Sequence, residues 1–416
     1  MATLKSEAQQ LYVPRDSLFL WLVIDPRQPV LIGELRTARA TRGVSLTYDH
    51  EWIARGFALS EDLSLDEQEF FPTEKDSAVG AVDDARPDRW GERVIKFIDK
   101  PPRLSLMEYL YFAGDDRFGA LGVSTSREEY LPRRIGLLPT LSDVEAIHSL
   151  VRRILANESV SPAERRLIVP GVTMGGARPK ALVTIDGHEW VVKFGAGEPT
   201  DVPLVEHAAM TLAKHANIHS AETRPIRLVD GHAVAVKRFD RVGRRRLHAQ
   251  SAHVALRAAR EQMGYPELAQ LLRRRGVVTR DTNAAQMREL FRRMVFNILI
   301  DNTDDHEKNH VLLTNDTLQL ELSPAFDVLP SAQALGYQQM IVGVDAADST
   351  LDNALSMSES FGLTPKAAIS ETRKVVGVVD GWKKHFLEEG VSRGDVESYA
   401  EQIDRPFLRD QRVAFR

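Results

Sequence analysis

The sequence predicts an α+β protein: an N-terminal α+β module, then a strand-rich segment, then a long helical one. Three observations lead there. Short apolar runs divided by turn residues fill the first fifty positions and return after Ile168. From Ala255 to the C-terminus, apolar residues fall mostly at helical spacing. The chain has 416 residues, too many for one ordinary core and suited to two or three compact units.

In the first module, residues 18–24, 30–35 and 44–48 read as strands, with Asp25-Pro26-Arg27 as the first turn. From Pro87 the spacing of Trp90, Val94, Ile95 and Phe97 predicts a helix, broken by Pro101-Pro102. Residues 104–112 read as another helix, ended by Gly114-Asp115-Asp116. The expected divisions are 1–140, 141–240 and 241–416. A bridging helix at 141–156 leads to strands at 181–185 and 189–194, joined by the hairpin signal Asp186-Gly187. A helix at 204–216 and strands at 224–229 and 232–238 complete the strand-rich part. Helices at 284–300 and 366–382 mark the last part, interrupted by a strand pair near 311–313 and 318–322.

Hydrophobic residues make up 43% and charged residues 27%, the balance of a soluble globular protein with room for a large core. Cysteine is absent, which excludes disulfides, cysteine–zinc sites and thiol catalysis. No stretch reaches the roughly 18 apolar residues of a membrane span, and the first residues lack a signal-peptide run. The expected compartment is the cytoplasm, with no membrane partner. A net charge of −5 argues against broad coating of nucleic acid. The clusters Arg244-Arg245-Arg246 and Arg273-Arg274-Arg275 read as solvated surface, with a phosphate or partner contact as the alternative.

Four features carry chemistry. In Thr173-Met174-Gly175-Gly176-Ala177-Arg178-Pro179-Lys180, two glycines let backbone N–H groups approach an anion, and Arg178 and Lys180 add charge. An ordinary Gly-Gly turn is the other reading. Lys193 stands in the apolar run Trp190–Phe194, a costly place for a charge unless it is paired or bound to a ligand. Glu206, on the next helix, is its natural partner; a lysine on an edge strand facing water is the alternative. Asn302-Thr303-Asp304-Asp305-His306-Glu307-Lys308-Asn309 follows an apolar helix. An aspartate five residues before an asparagine matches a kinase catalytic loop: the first accepts a hydroxyl proton and the second binds magnesium. Lys308 can offset charge on the moving phosphoryl group. Finally, Asp327 sits in the apolar frame Leu322–Pro330 beside Phe326, as a magnesium-binding aspartate of a kinase does. A charged surface loop and a turn aspartate are the plain alternatives for the last two. Together the four parts, in this order, fit ATP-dependent phosphoryl transfer on a two-lobed protein-kinase-like fold.

At these residues the chain resembles the HipA family, bacterial serine/threonine kinase toxins of type II toxin–antitoxin systems. The likeness covers nearly the whole chain. It rests on Gly175–Lys180, Val192-Lys193-Phe194, Lys237-Arg238-Phe239-Asp240-Arg241, Asn302–Asn309 and Pro324–Asp327. Asp83-Asp84-Ala85-Arg86-Pro87-Asp88-Arg89-Trp90-Gly91 and Gly114–Gly122 look like that family's N-terminal module. The resemblance implies that Asp304, not Asp305, is the proton acceptor, and that Asn309 and Asp327 hold Mg2+. It implies that Met174 to Lys180 and Lys193 hold the ATP phosphates. His306 and Lys308 would touch the phosphates or the loop itself, and Lys237, Arg238 and Phe239 would line the adenine side, with backbone groups reading the base. Thr173 stands where members of the family carry an autophosphorylated serine, and a dianion there would repel ATP. The implied partners are a HipB-like helix-turn-helix antitoxin, operator DNA mainly through that antitoxin, and an aminoacyl-tRNA synthetase as protein substrate, glutamate–tRNA ligase in particular. Growth arrest, persistence and repression of its own operon would follow. A small-molecule or lipid kinase would use the same residues; a catalytically weak co-repressor is the other alternative, and the intact Lys193, Asp304, Asn309 and Asp327 argue against it.

Overall fold

The computed structural model describes residues 12–133, 137–161, 164–169 and 176–416. Strands β1 (Ser17–Leu22), β2 (Val30–Ala38) and β3 (Gly43–Tyr48) lead to helix α1 (His50–Arg55) and strand β4 (Glu69–Phe70). Helices α2 (Arg89–Val94) and α3 (Leu106–Phe112) and strand β5 (Leu121–Ser124) follow. The strands make one antiparallel sheet, β4-β3-β2-β1-β5. Its buried face carries Leu18, Leu20, Leu35, Val44 and Leu46, covered by Met107 and Leu110 of α3. Val254, from far along the chain, completes this core.

The helix expected from Pro87 begins at Arg89, because the Asp88 carboxylate caps it by accepting from the Gly91 N–H. Its last turn widens into a π turn over Ile95–Asp99. Trp90, Val94 and Ile98 do not join the first sheet. They pack into the core of the next unit, against Ile147, Val151, Ala181 and Val192.

That unit contains α4 (Val144–Leu155), β6 (Lys180–Ile185), β7 (His188–Phe194), α5 (Val202–His215), β8 (Thr223–Arg227) and β9 (His232–Lys237). The sheet order is β6-β7-β9-β8, antiparallel throughout. The β6–β7 turn has φ of 51° at Asp186 and 75° at Gly187, the two left-handed residues that a tight hairpin requires. Its register sets Lys180 directly opposite Lys193. Asp201 caps α5 and Pro203 opens its first turn.

A small ribbon, β10 (Arg241–Val242) and β11 (Arg245–Arg246), precedes β12 (His248–Ser251), α6 (Ala252–Ala258), α7 (Tyr265–Arg275) and α8 (Thr282–Leu299). Strands β13 (Val311–Thr314) and β14 (Leu320–Leu322) come next. Helices α9 (Leu351–Ser356), α10 (Pro365–Val379), α11 (Trp382–Glu388), α12 (Arg393–Ile403) and α13 (Pro406–Ala414) close the chain. The β13–β14 pair was expected, but β12, which adds a third strand to it, was not. Its sequence, His-Ala-Gln-Ser, has no strand signature and is fixed by pairing across the chain. Residues 323–350 also depart from the helical expectation. Pro324 and Pro330 break the pattern, and φ is positive at Asp327, Ala332, Ala334 and Gly336. One core then runs from Leu182 and Val234 in the sheet through Phe296, Leu299 and Phe326 to Trp382 and Phe386.

Candidate active site

Between the four-stranded sheet and the helical part lies a cleft of about 330 Å³. Gly176, Arg178, Lys180, Lys193, Asp304, His306, Asn309 and Asp327 line it, with Leu155, Ala196 and Pro330 among its apolar walls. The sheet supplies the cations. Lys193 sits on β7 with alternate neighbours in the core, so its ammonium is buried and must find anions. It finds two: Nζ lies 2.6 Å from a Glu206 oxygen on α5 and 2.7 Å from Asp327 Oδ1. Burial alone would lower the Lys193 pKa, but the Asp327 and Glu206 carboxylates outweigh it and raise it. Burial likewise opposes the charge on Asp327, yet Lys193, aided by Lys180 and Arg178, holds that carboxyl below its usual range. Glu206 moves the other way: burial raises it. The cluster thus holds a firm ammonium–Asp327 pair with Glu206 as a second, less acidic anchor. Among the described residues, Glu206 is not part of the cleft lining and meets it through Lys193.

The helical part supplies the carboxylates and amide. After α8, Asp301 turns the chain with φ of 60°, and the N–H groups of Asp301 and Asn302 return to the carbonyls of Ile298 and Asn297. This left-handed helix end throws residues 302–309 across the cleft floor. The two adjacent aspartates then part. Asp305 is buried and accepts hydrogen bonds from the Tyr265 hydroxyl and from His310 Nε2, the latter at 2.9 Å. Burial opposes its charge, but His310 and Tyr265 hold its pKa down. Asn297 Nδ2 donates to the Tyr265 hydroxyl, and Asn302 Nδ2 donates to Asn297 Oδ1 at 3.1 Å. Asp305 is therefore a strut beneath the loop. Asp304 points the other way, exposed in the cleft. Burial raises its pKa, His306 opposes the rise and Asp327 adds to it. A carboxylate so tuned suits a general base.

Asn309 lines the same cleft, and its buried Oδ1 has no hydrogen-bond partner among the described residues. An unused amide oxygen near a carboxylate fits a hard divalent cation, which takes oxygen donors and often only one or two carboxylates. Asp327 has φ of 58°, a left-handed conformation that non-glycine residues rarely keep without a local reason. Phe326 anchors it from the core and stacks obliquely on Phe239, whose ring meets Phe118 of the first module edge-on.

Several expected residues lie elsewhere. Arg238 turns away from the cleft into a buried network with Asp240, Glu189 and the carbonyls of Asp116 and Arg117. Its backbone N–H is also taken, by the Glu189 carbonyl. Lys237 pairs with Glu222 on the sheet's outer face. Lys308 is exposed and outside the cleft lining. Thr173, Met174 and Gly175 lie outside the described residues. Sequence reasoning missed Tyr265 and His310, which carried no motif; Asp88 was noted only as part of a resemblance, and Trp90 only there and as a helix-spacing residue.

A strand-rich lobe with a paired lysine, set over a helical lobe with a polar loop, defines a protein-kinase-like fold. Models of protein families agree. Residues 172–382 match the HipA-like C-terminal domain and residues 28–124 match the HipA N-terminal domain. The chain belongs to the HipA family. It is similar to HipA of Shewanella oneidensis MR-1, solved with HipB and its operator DNA, at 18% identity and a TM-score of 0.63. That likeness covers 96% of each chain. It is also 31% identical over 206 residues to the putative kinase Y4dM of Sinorhizobium fredii (strain NBRC 101917 / NGR234), covering 44% of this chain. The match takes in 47% of Y4dM, so the chain spans about half the length of that curated relative. Among the described residues, no helix is long and apolar enough to cross a membrane.

Proposed function

We propose that the protein is an ATP- and magnesium-dependent protein serine/threonine kinase and the toxin of a type II toxin–antitoxin system. One observation carries the catalytic part: Lys193–Glu206–Asp327, an outward Asp304 and an Asn309 oxygen without a partner converge on one cleft. Lys193 meets the phosphates of ATP while Glu206 keeps its ammonium in place. Lys180 and Arg178 line the same wall and add positive charge along the phosphate path. Asp327 and Asn309 would hold Mg2+, which supplies charge neutralisation at the phosphates. Asp304 takes the proton of the acceptor hydroxyl. As that oxygen bonds to the γ-phosphorus, the bond from phosphorus to the β,γ-bridging oxygen breaks and ADP leaves. Leu155, Ala196 and Pro330 keep the cleft partly dry, which strengthens each of these charge interactions.

The partner assignments rest on the family and on the Shewanella oneidensis complex, whose components include HipB and operator DNA. By that analogy this chain binds a HipB-like antitoxin and reaches an operator mainly through it, which represses its own operon. Its acceptor is an aminoacyl-tRNA synthetase, whose modification arrests growth and promotes persistence. Thr173 is the proposed autophosphorylation site.

Radiolabelled ATP with a panel of purified synthetases tests the reaction. Wild-type protein should transfer label to a serine or threonine, and Asp304→Asn should lower the rate by at least about a thousandfold without loss of fold. Full activity in Asp304→Asn would remove the base assignment. Absence of transfer to any protein would remove the protein-kinase reading.

A further inference from the structure

The register of the small-lobe hairpin raises a problem that the catalytic cluster does not solve. Lys180 and Lys193 are direct cross-strand partners, and both side chains are buried. Like charges placed opposite one another in a sheet repel, and burial removes the water that would screen them. Lys193 is neutralised by Glu206 and Asp327. Lys180 finds a counter-ion outside the kinase lobes: Asp88, at 2.5 Å from Nζ. The same carboxylate uses its other oxygen to cap α2 through the Gly91 N–H at 2.8 Å. Trp90, the second residue of that helix, donates its indole N–H to the Lys180 carbonyl at 2.8 Å. Lys180 Nζ in turn donates to the Gly176 carbonyl at 3.1 Å, at the edge of the cleft. Thus α2 grips one residue by both side chain and main chain, and that residue holds the end of the glycine-bearing loop.

We infer that Asp88 is a positioning residue for nucleotide binding, and that α2 of the N-terminal module forms part of the phosphate-binding wall. The inference rests on the kinase reading for its ligand, though not for its geometry. Asp88 does not touch the cleft; it acts through Lys180. It fixes where the ammonium stands, lets two cations share one wall, and ties Gly176 to an element of another module. Trp90, Val94 and Ile98 pack in the small-lobe core, so the grip is rigid. Any ligand that shifts α2 would shift this wall.

The test uses full-length protein and three variants: Asp88→Asn, Lys180→Met and the double variant. Binding of ATP with Mg2+ is read by calorimetry, and the turnover split by kcat and KM. The expected result is a roughly tenfold rise in Kd and KM for Asp88→Asn with kcat at saturation changed much less. The double variant should bind no worse than Lys180→Met, because asparagine keeps the cap on α2 and the charge of Asp88 has no partner to position once Lys180 is gone. Hydrogen exchange without nucleotide gives a second reading. Amides of residues 176–182 should exchange faster in Asp88→Asn, while those of α8 keep wild-type protection. Wild-type affinity in Asp88→Asn, or effects that simply add in the double variant, would overturn the inference. Unchanged exchange at 176–182 would do the same. A wild-type protein that binds no ATP would sink the kinase reading itself, a result distinct from either.

Discussion

Replacing Lys193 by methionine separates the structural from the catalytic use of its charge. The ammonium stands 2.6 Å and 2.7 Å from two carboxylates, with side-chain exposures of 5% for Lys193, 2% for Glu206 and 14% for Asp327. Methionine fills much of the volume but leaves two buried anions facing each other. Breaking a buried ion pair by removing one partner costs about 3–5 kcal/mol. Protonation limits the damage, and Glu206, already raised by burial, takes the proton first. A carboxyl whose folded pKa lies above its unfolded value destabilises at high pH and is relieved as pH falls. The penalty of Lys193→Met should therefore be largest near neutral pH and shrink toward mildly acidic pH. Adding Glu206→Gln removes one of the two anions and should restore about 1–3 kcal/mol. It should restore no phosphoryl transfer, because the phosphate contact is still missing. Urea denaturation of the wild type and both variants at pH 7.5 and 5.5, beside an ATP turnover assay, measures this. A single variant within about 1 kcal/mol of wild type would refute the reasoning. So would a double variant no more stable than the single one.

Other outcomes follow from the same geometry. Tyr265→Phe removes a donor to the buried Asp305 carboxylate, worth about 1.5–3 kcal/mol for a bond to a charged group. It should also lower kcat more than tenfold by loosening the loop that carries Asp304; unchanged kcat would show that the strut does not matter. His248 is buried against Phe57 and its pKa falls from 6.5 to about 4 because burial disfavours the cation. The unfolded chain gains that proton near pH 6.5 and the folded chain only near 4, so stability is lost as pH falls through this window, by at most roughly 3 kcal/mol. In His248→Phe this part of the acid slope should vanish, read as melting temperature against pH. Parallel slopes in the two proteins would refute it.

Legibility followed sequence distance. Lys193 and Glu206 were readable because a charge in an apolar strand announces an expensive placement and its partner lies one element away. The Asp186-Gly187 hairpin was readable because its backbone conformation is a local property of two residues. Choosing between Asp304 and Asp305 required the spacing to Asn309, and the physical cause, Tyr265 and His310 beneath Asp305, was invisible. The place of the Arg238 side chain was hidden for a related reason. Its motif lies beside the cleft, but its side chain answers to Asp240, Glu189 and carbonyls of the first module. The strand β12 exists only through its pairing with β13, so no pattern within its four residues could reveal it. Asp88 stood in a motif with two other acids and two arginines. Nothing in that stretch says which distant lysine it neutralises.

Val254 has a consequence for how the protein is made. The first sheet closes when β5 leaves the ribosome, yet its core lacks the valine that fills it until α6 has been synthesised. Domains generally fold as units from the N-terminus during synthesis, at about 5–20 residues per second. This nascent sheet must wait several seconds or more with its core incomplete, and α2 waits too for its seat in the small lobe. A growing chain in that state is a ready client for chaperones that hold exposed apolar surface. Translation halted between β5 and α6 should leave an aggregation-prone fragment rather than a finished module.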